Sequence, residues 1–317
     1  VLFRQGDQEV MNLKENNIYG RKVFFLCPPF DFEKIIIDRL FTLEYEIYTI
    51  RDIKDAKNIL MHYPDSICFI NIDTCLESMH WLNFIHSFEA DPVLSTIFLG
   101  ITSHNNKNKD KELFILNTQI PAGFISTAVN YDELTAKFVQ ILDLNGAKGR
   151  RKYIRADCSH DRFVFAKLVV STSVYEIKNK DISSVGFSVD VPLSYQDQIK
   201  TNLVVRNCTI KLHDKYFTEP ATIIIAKPEK DTIHVVFVFL QGMSFANKSI
   251  IRSFIKTLLQ KKISEILKGC SPDTSDYSIP VETAEQKNEP FLISSFDEPI
   301  ADLESFEDTD LTLTNLF

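Results

Sequence analysis

The sequence predicts two folded parts, an open parallel α/β domain followed by an antiparallel β-barrel that closes with a helix. Three observations point there. Continuous apolar runs alternate with amphipathic stretches from Lys22 to Leu144. The alternation stops at LNGAKGRR, residues 144–151, where Gly146 and Gly149 end a helix and open a linker. From Phe163 onward, short segments rich in Val, Ile, Phe and Thr follow one another with turn residues between them. A chain of 317 residues that is 44% apolar has the material for two cores.

In the first part, Lys22–Cys27 (KVFFLC) reads as a buried strand and Phe32–Leu43 as a helix. Tyr45–Ile50 is a strand and Ile53–His62 a helix. Ile67–Ile72 (ICFINI) is a second continuous apolar strand, and Met79–Phe88 carries apolar residues at helical spacing. Thr96–Ile101 and Gly123–Thr127 are strands, each followed by a helix, Lys109–Asn117 and Tyr131–Leu144. Strands this apolar need cover on both faces, which a parallel sheet flanked by helices provides. Five βα units in so short a span fit the flavodoxin-like doubly wound fold.

In the second part, Phe163–Ser171, Val174–Ile177, Gly186–Val191, Asn202–Leu212, Ala221–Lys227 and Ile233–Leu240 read as strands of a closed antiparallel barrel. Ser249–Leu267 is an amphipathic helix stopped by Gly269 and Pro272. The predicted division is an N-terminal extension at 1–17, an α/β domain at 18–145, a barrel domain at 146–270 and an acidic tail at 271–317. VLFRQG at the start looks like a protease-site remnant and is set aside.

The formal charge of −8 is unevenly spread. The tail from Ser271 holds twelve acids and a single lysine, so it carries −11 and leaves +3 on the rest. The acidity therefore says nothing against an anionic ligand on the body. The tail reads as a disordered acidic segment. Its apolar residues, among them Phe291, Phe296 and Leu303, suit a short docking motif, or one that folds back on the basic linker.

No apolar run is long enough to span a membrane, and no signal-peptide pattern opens the chain. Cys27, Cys68, Cys75, Cys158, Cys208 and Cys270 form no C-x-x-C and read as buried free thiols, which predicts a cytoplasmic protein. P-loop, nucleophile-elbow and zincin motifs are missing. The histidines are scattered, with His80 and His86 on different sides of a helix, so no metal site is expected. Trp81, Phe84, Ile85 and Phe88 share a helical face and read as core.

Two short motifs carry chemistry. GRRKYIR places Arg150, Arg151 and Arg155 at the entry of the barrel domain. A guanidinium is planar, permanently charged and matched to phosphate oxygens and to the Hoogsteen edge of guanine. Alone, the cluster is also what a solvated basic linker looks like. DISSVG brings Asp181, Ser183 and Gly186 into a strand–turn–strand. Asp and Ser bond base edges or backbone, and Gly186 allows a positive φ or a close ligand approach.

R-x-x-x-R at the start of a barrel, followed about 26 residues later by D-x-S-x-x-G, resembles the PilZ family. The likeness runs from about Gly149 to Gly269 and includes the strand HVVFVFL and the helix after it. It implies a site for cyclic-di-GMP (c-di-GMP), with the arginines on phosphates and guanines and the Asp/Ser turn on a guanine. Arg150 directly before Arg151 implies an intercalated dimer of the ligand. A phosphate-tracking DNA surface is not expected, because the body carries only +3 and its basic residues do not recur along one face.

The five βα units resemble a response-regulator receiver domain without its chemistry. Cys27, Pro28 and Pro29 stand where a receiver keeps its acidic pair. Asn71 ends the third strand at least as well as Asp73 does, Thr102 or Ser103 keeps the hydroxyl, and Thr127 or Ala128 replaces the lysine. Mg²⁺ would lack hard ligands, and the phosphoryl charge would go unneutralised. The expectation is a pseudo-receiver used for protein contacts, with phosphorylation at Asp73 the disfavoured alternative.

Together these readings predict a non-enzymatic signalling adaptor with no cofactor, no membrane insertion, c-di-GMP as its ligand and a protein partner, for instance in motility. Ligand binding would order Arg150–Arg155 and change how the domains sit. A phosphorylation-controlled regulator and a nucleotide-free scaffold are the alternatives.

Overall fold

The structure is a computed structural model that describes residues 18–105, 108–170, 173–240 and 242–279. Its first sheet is formed by β1 (Val23–Leu26), β2 (Ile47–Ile50), β3 (Ile67–Asn71), β4 (Phe98–Ser103) and β5 (Gly123–Ser126). The strands are all parallel, in the order β2-β1-β3-β4-β5. That order is the flavodoxin-like one, as the sequence predicts. β1, β2 and β3 are buried at every position because helices cover both faces.

The helices of this domain follow the predicted alternation. α1 runs from Phe30–Phe32 through a π-helical stretch, Glu33–Ile37, to Asp38–Thr42. α2 (Ile53–Met61) is capped by the Asp52 carboxylate, which accepts from the Lys54 N–H. α3 (Ser78–Glu89) buries Trp81, Phe84, Ile85 and Phe88, the face read as core. α4 (Asn108–Asn117) and α5 (Tyr131–Leu144) complete the layers. Gly146, at φ +69°, ends α5 in a Schellman motif, with Ala147 N–H donating to Leu142 O and Gly146 N–H to Asp143 O.

The second sheet holds β6 (Arg155–Asp157), β7 (Val164–Val170), β8 (Ser173–Ser183), β9 (Gly186–Pro192), β10 (Val204–Leu212), β11 (Lys215–Pro228) and β12 (Thr232–Phe239). The order is β6-β8-β7-β10-β11-β12-β9, and β9 also pairs with β8, which closes six strands into an antiparallel barrel. β6 lies outside the ring, on the last residues of β8. α6 (Phe245–Leu267) closes the barrel with Ile251, Phe254, Ile255, Leu259 and Ile263 buried. Both sheets lie within one compact unit. Among the described residues no helix is long and apolar enough to cross a membrane.

Three departures from the sequence reading have physical causes. β8 does not stop at Ile177: Asn179 continues its inward row, and the register shifts between Asn179 and Asp181. β11 starts six residues before the expected Ala221, because His213 adopts φ +57° and turns a tight hairpin that pairs Leu212 with Lys215. α6 begins at Phe245, four residues early, where the Ser244 hydroxyl accepts from the Asn247 N–H. The strand end predicted at Ser171 and the extension at 1–17 lie outside the described residues.

The tail is corrected over its first part. Residues 271–279 are not disordered but lie along α2 and α3. Asn58 Nδ2 donates to Ser271 O at 2.7 Å, Asp273 N to Lys54 O at 2.9 Å, and Asn83 Nδ2 to Tyr277 O at 2.8 Å. The Tyr277 ring packs on Phe84 and lies 4.9 Å from Lys57 Nζ. These polar anchors and one ring suffice without an apolar run, so composition did not reveal them. The remainder of the tail and its docking residues lie outside the described residues.

Candidate functional site

The linker is pinned rather than loose. Arg21 N–H donates to Gly146 O and Arg151 N–H to Ile18 O, both at 2.9 Å. Gly149 sits so close to the Ile18–Gly20 backbone that a Cβ there would lie 2.5 Å from Ile18 O. Glycine is thus required at 149 by a backbone approach. The same contacts set the direction in which Arg150 and Arg151 leave the α/β domain. The Arg151 guanidinium lies over the Tyr19 ring at 4.5 Å, while Arg150 is exposed and makes no hydrogen bond or ion pair among the described residues.

The ladder unites the two motifs. β6 pairs with β8 so that Arg155 faces Ser183 and Asp157 faces Asp181. The Arg155 guanidinium reaches Asp181 Oδ1 at 3.7 Å, a long and half-exposed pair. Residues 26 apart in sequence therefore share one edge of the barrel. The sequence reading contains no strand at Arg155–Asp157, because three residues with two charges carry no apolar period.

Ser183 is 3% exposed, and its hydroxyl donates to Gly186 O at 3.1 Å within the turn. Gly186 does not take the positive φ that the sequence allowed, and an added Cβ would lie 2.1 Å from Phe237 O of β12. The close packing of β9 on β12 thus requires a glycine here, and the left-handed turn is not formed.

Arg151, Arg155 and Asp181 open onto a cleft of about 520 Å³ between the barrel mouth and the α/β domain. Arg150, Ser183 and Gly186 do not line it. The barrel side adds Tyr153, Asp157, Lys180 and Lys262; the α/β side adds Lys22, Glu44, Glu46, Tyr48 and Tyr63. The volume is that of a small-molecule cleft, and the lining is mostly charged, nine residues of sixteen, with four tyrosine rings between them. Sequence reasoning missed the α/β contributors, since nothing local marks Lys22 or Tyr63 as facing a domain that begins more than eighty residues later.

The charges of the cleft are tuned by their partners. Ser159 donates to Asp157 from its hydroxyl and its backbone N–H and holds that carboxyl below its usual range. Lys180 is held above the usual lysine range by its bond to Asp190, at 3.0 Å, so it stays cationic. Burial, then the neighbouring Glu46, pushes the Tyr63 phenol up, so it stays neutral. Lys22 Nζ lies 5.9 Å above the Tyr63 ring and 3.9 Å from Glu46.

Glu44 spans the junction. It sits at φ +68° just after α1, with a side chain 12% exposed. Its Oε1 accepts from the Ser184 hydroxyl at 2.8 Å and from Arg252 Nη2 at 3.2 Å, and its Oε2 accepts from the Ile154 N–H at 3.1 Å. Ser184 belongs to the DISSVG turn and Ile154 to GRRKYIR. A single carboxylate thus ties the α/β domain to both motifs and to α6. Farther along α6, the Gln260 amide accepts from Thr49 N–H at 3.2 Å and donates to Thr49 O at 2.7 Å. That covers the outer edge of β2.

At the C-terminal end of the parallel sheet, Asn71 is the last residue of β3 and is buried. Asp73 lies beyond it. Its carboxylate accepts from Ser103 Oγ and the His104 N–H, both at 2.6 Å, and from Asn105 Nδ2 at 3.3 Å. The adjoining cleft, about 590 Å³, holds Asn71, Thr102, Thr127 and Ala128 with one carboxylate, Asp31. Among the described residues no group of three or more His, Cys, Asp or Glu is placed to hold a metal.

A doubly wound domain and a closed barrel thus share one cleft. Several solved structures are similar to this chain. The PilZ domain of YcgR from Escherichia coli, solved with c-di-GMP, is 15% identical, with a TM-score of 0.33, covering 37% of this chain and 96% of that one. MrkH of K. pneumonia, in complex with c-di-GMP, is 14% identical with a TM-score of 0.30. It is covered over 56% of its length, so this chain spans little more than half of that protein. A response regulator from Desulfuromonas acetoxidans is 16% identical, with a TM-score of 0.33, covering 39% of this chain and 98% of that one. No family model matches the chain, and no curated protein matches it in sequence.

Proposed function

We propose that this protein is a c-di-GMP effector without catalysis of its own, in which the nucleotide seats in the cleft at the barrel mouth. The observation that carries this reading is the β6–β8 pairing, which sets Arg155 opposite Ser183 and against Asp181 on one edge. Arg151 and Arg155 hold phosphates and guanine edges, and Asp181 takes a guanine. Ser183 and Gly186 shape the turn. Arg150, outside the cleft and without a partner among the described residues, takes the second molecule of a stacked pair.

The energetics fit. Arg155 gives up only a long, half-exposed contact on binding, worth little in water. Each charge-assisted hydrogen bond it gains contributes about 1.5–3 kcal/mol. Two or three arginines then support binding of about −8 kcal/mol, in the micromolar range, after association costs.

Binding between the barrel and the α/β domain rearranges the two, because Glu44 and the pinned linker join them where the ligand enters. The α/β domain, with Cys27, Pro28 and Pro29 where a receiver keeps its acidic pair, docks a protein partner. Calorimetric titration with c-di-GMP tests the site: Arg151→Ala is expected to bind at least about tenfold more weakly, and equal affinities would sink the assignment. Small-angle scattering with and without ligand tests the rearrangement, and superimposable curves would remove it.

A further inference from the structure

Six cysteines were expected to be buried free thiols. Cys75 is not: it is exposed, and its Sγ lies 3.0 Å from Cys27 Sγ. Cys27 follows β1, and Cys75 lies in the loop between β3 and α3, so the pair bridges two loops at the C-terminal end of the sheet. Both residues are left-handed, with φ +51° and +72°, which a side chain with a Cβ seldom adopts without a reason.

The contact is held from both sides. Asn71 Nδ2 donates to Cys27 O at 2.9 Å and to Thr74 Oγ1 at 3.1 Å, and Trp81 Nε1 donates to Thr74 O at 3.1 Å. One buried amide therefore clamps the end of β1 to the residue before Cys75. A disulfide needs its sulfurs about 2 Å apart, so closure requires an approach of about 1 Å. That is within reach of an exposed loop residue.

We propose that Cys27 and Cys75 are a peroxide-sensitive dithiol that closes reversibly to an intramolecular disulfide. It occupies the end of the sheet where the acidic pair of a receiver would stand. Cys75 reacts first, since it is the accessible thiol. Its sulfur attacks one oxygen of hydrogen peroxide, the O–O bond breaks, and water leaves with the thiol proton, giving a sulfenic acid. Cys27 then attacks the Cys75 sulfur, the S–O bond breaks, and the hydroxyl departs as water with the proton of Cys27. The two thiols lose two electrons and two protons, and peroxide becomes two waters.

Three other thiols are closed off: Cys68, Cys158 and Cys208 are buried, and burial pushes each of them up, the first two to about 12. Cys270 is half-buried, and its Sγ donates to Ile266 O at 3.5 Å rather than meeting a second sulfur. Burial and then Cys75 push the Cys27 thiol up as well, which lowers its thiolate fraction; its place as the resolving thiol rests on the 3.0 Å contact with Cys75 Sγ.

The full-length protein, exposed to hydrogen peroxide, blocked with N-ethylmaleimide and digested without reductant, is expected to yield a linked Cys27–Cys75 peptide that dithiothreitol removes. Cys75→Ser, at an exposed position, should lose thiols at least tenfold more slowly. Cys27→Ser should leave Cys75 as a sulfenic acid that dimedone captures. Oxidation of Cys75→Ser at the wild-type rate, or linkage of either cysteine to a different thiol or another molecule, would overturn the proposal.

Discussion

The Ser184 hydroxyl, in the turn between β8 and β9, donates to the Glu44 carboxylate of the α/β domain at 2.8 Å. The same carboxylate accepts from Ile154 N–H and Arg252. Its removal strands the Ser184 and Ile154 donors in a largely desolvated junction and leaves Arg252 Nη2 with Thr42 O alone. Glu44→Ala is therefore expected to cost about 2–3 kcal/mol, read as a lower midpoint in urea unfolding. An unchanged midpoint would show that the junction does not depend on this contact.

Gly186 separates a structural from a ligand-binding role. A Cβ there meets Phe237 O at 2.1 Å, a distance no side chain tolerates. Gly186→Ala is expected to lower stability by about 2–4 kcal/mol without any nucleotide present, because β9 must move off β12. A variant that melts like wild type yet binds c-di-GMP poorly would restore the ligand role.

The cleft is two-sided, and under the proposed function both sides touch the nucleotide. Lys22→Ala and Tyr63→Ala in the α/β domain are expected to weaken c-di-GMP binding by about threefold or more, the scale of one surface charge or ring contact. Wild-type affinity in both, alongside a weakened Arg151→Ala, would confine the site to the barrel.

Residues 271–279 supply a pH dependence. Burial raises the Asp273 carboxyl, but hydrogen bonds from Ser275 and Tyr277 and the charge of Lys57 outweigh it and hold the group down at about 2. A carboxylate depressed in the folded state stabilises it fully above its ordinary value, near 3.8, and loses that contribution as pH falls toward about 2. The stability gap between wild type and Asp273→Asn should thus be constant above pH 4 and shrink below it. A gap that ignores pH would mean the contact is not ionic.

Asp73 gives a chemical test of the α/β domain. Its carboxylate is taken up by Ser103, His104 and Asn105. Incubation with acetyl phosphate and Mg²⁺ is expected to leave the intact mass unchanged. A phosphoryl adduct that disappears in Asp73→Asn would reinstate phosphorylation control.

Periodicity alone determined most of the architecture. β1 and β3 are apolar at nearly every position, and α3 repeats its large side chains at helical spacing, so local burial patterns carried the information. The motif residues Arg151, Arg155 and Asp181 were legible for a different reason: charged groups at fixed offsets beside turn residues stand out from a barrel's apolar alternation. Tertiary structure alone decided what those residues face. Glu44, Lys22 and Tyr63 reach the barrel only because α6 docks on β2 and the linker folds back on residues 18–21, and a contact across more than a hundred residues leaves no local period to read. The same holds for Gly186, whose need for a missing Cβ arises from Phe237 on another strand, and for Cys75, whose neighbour is 48 residues away.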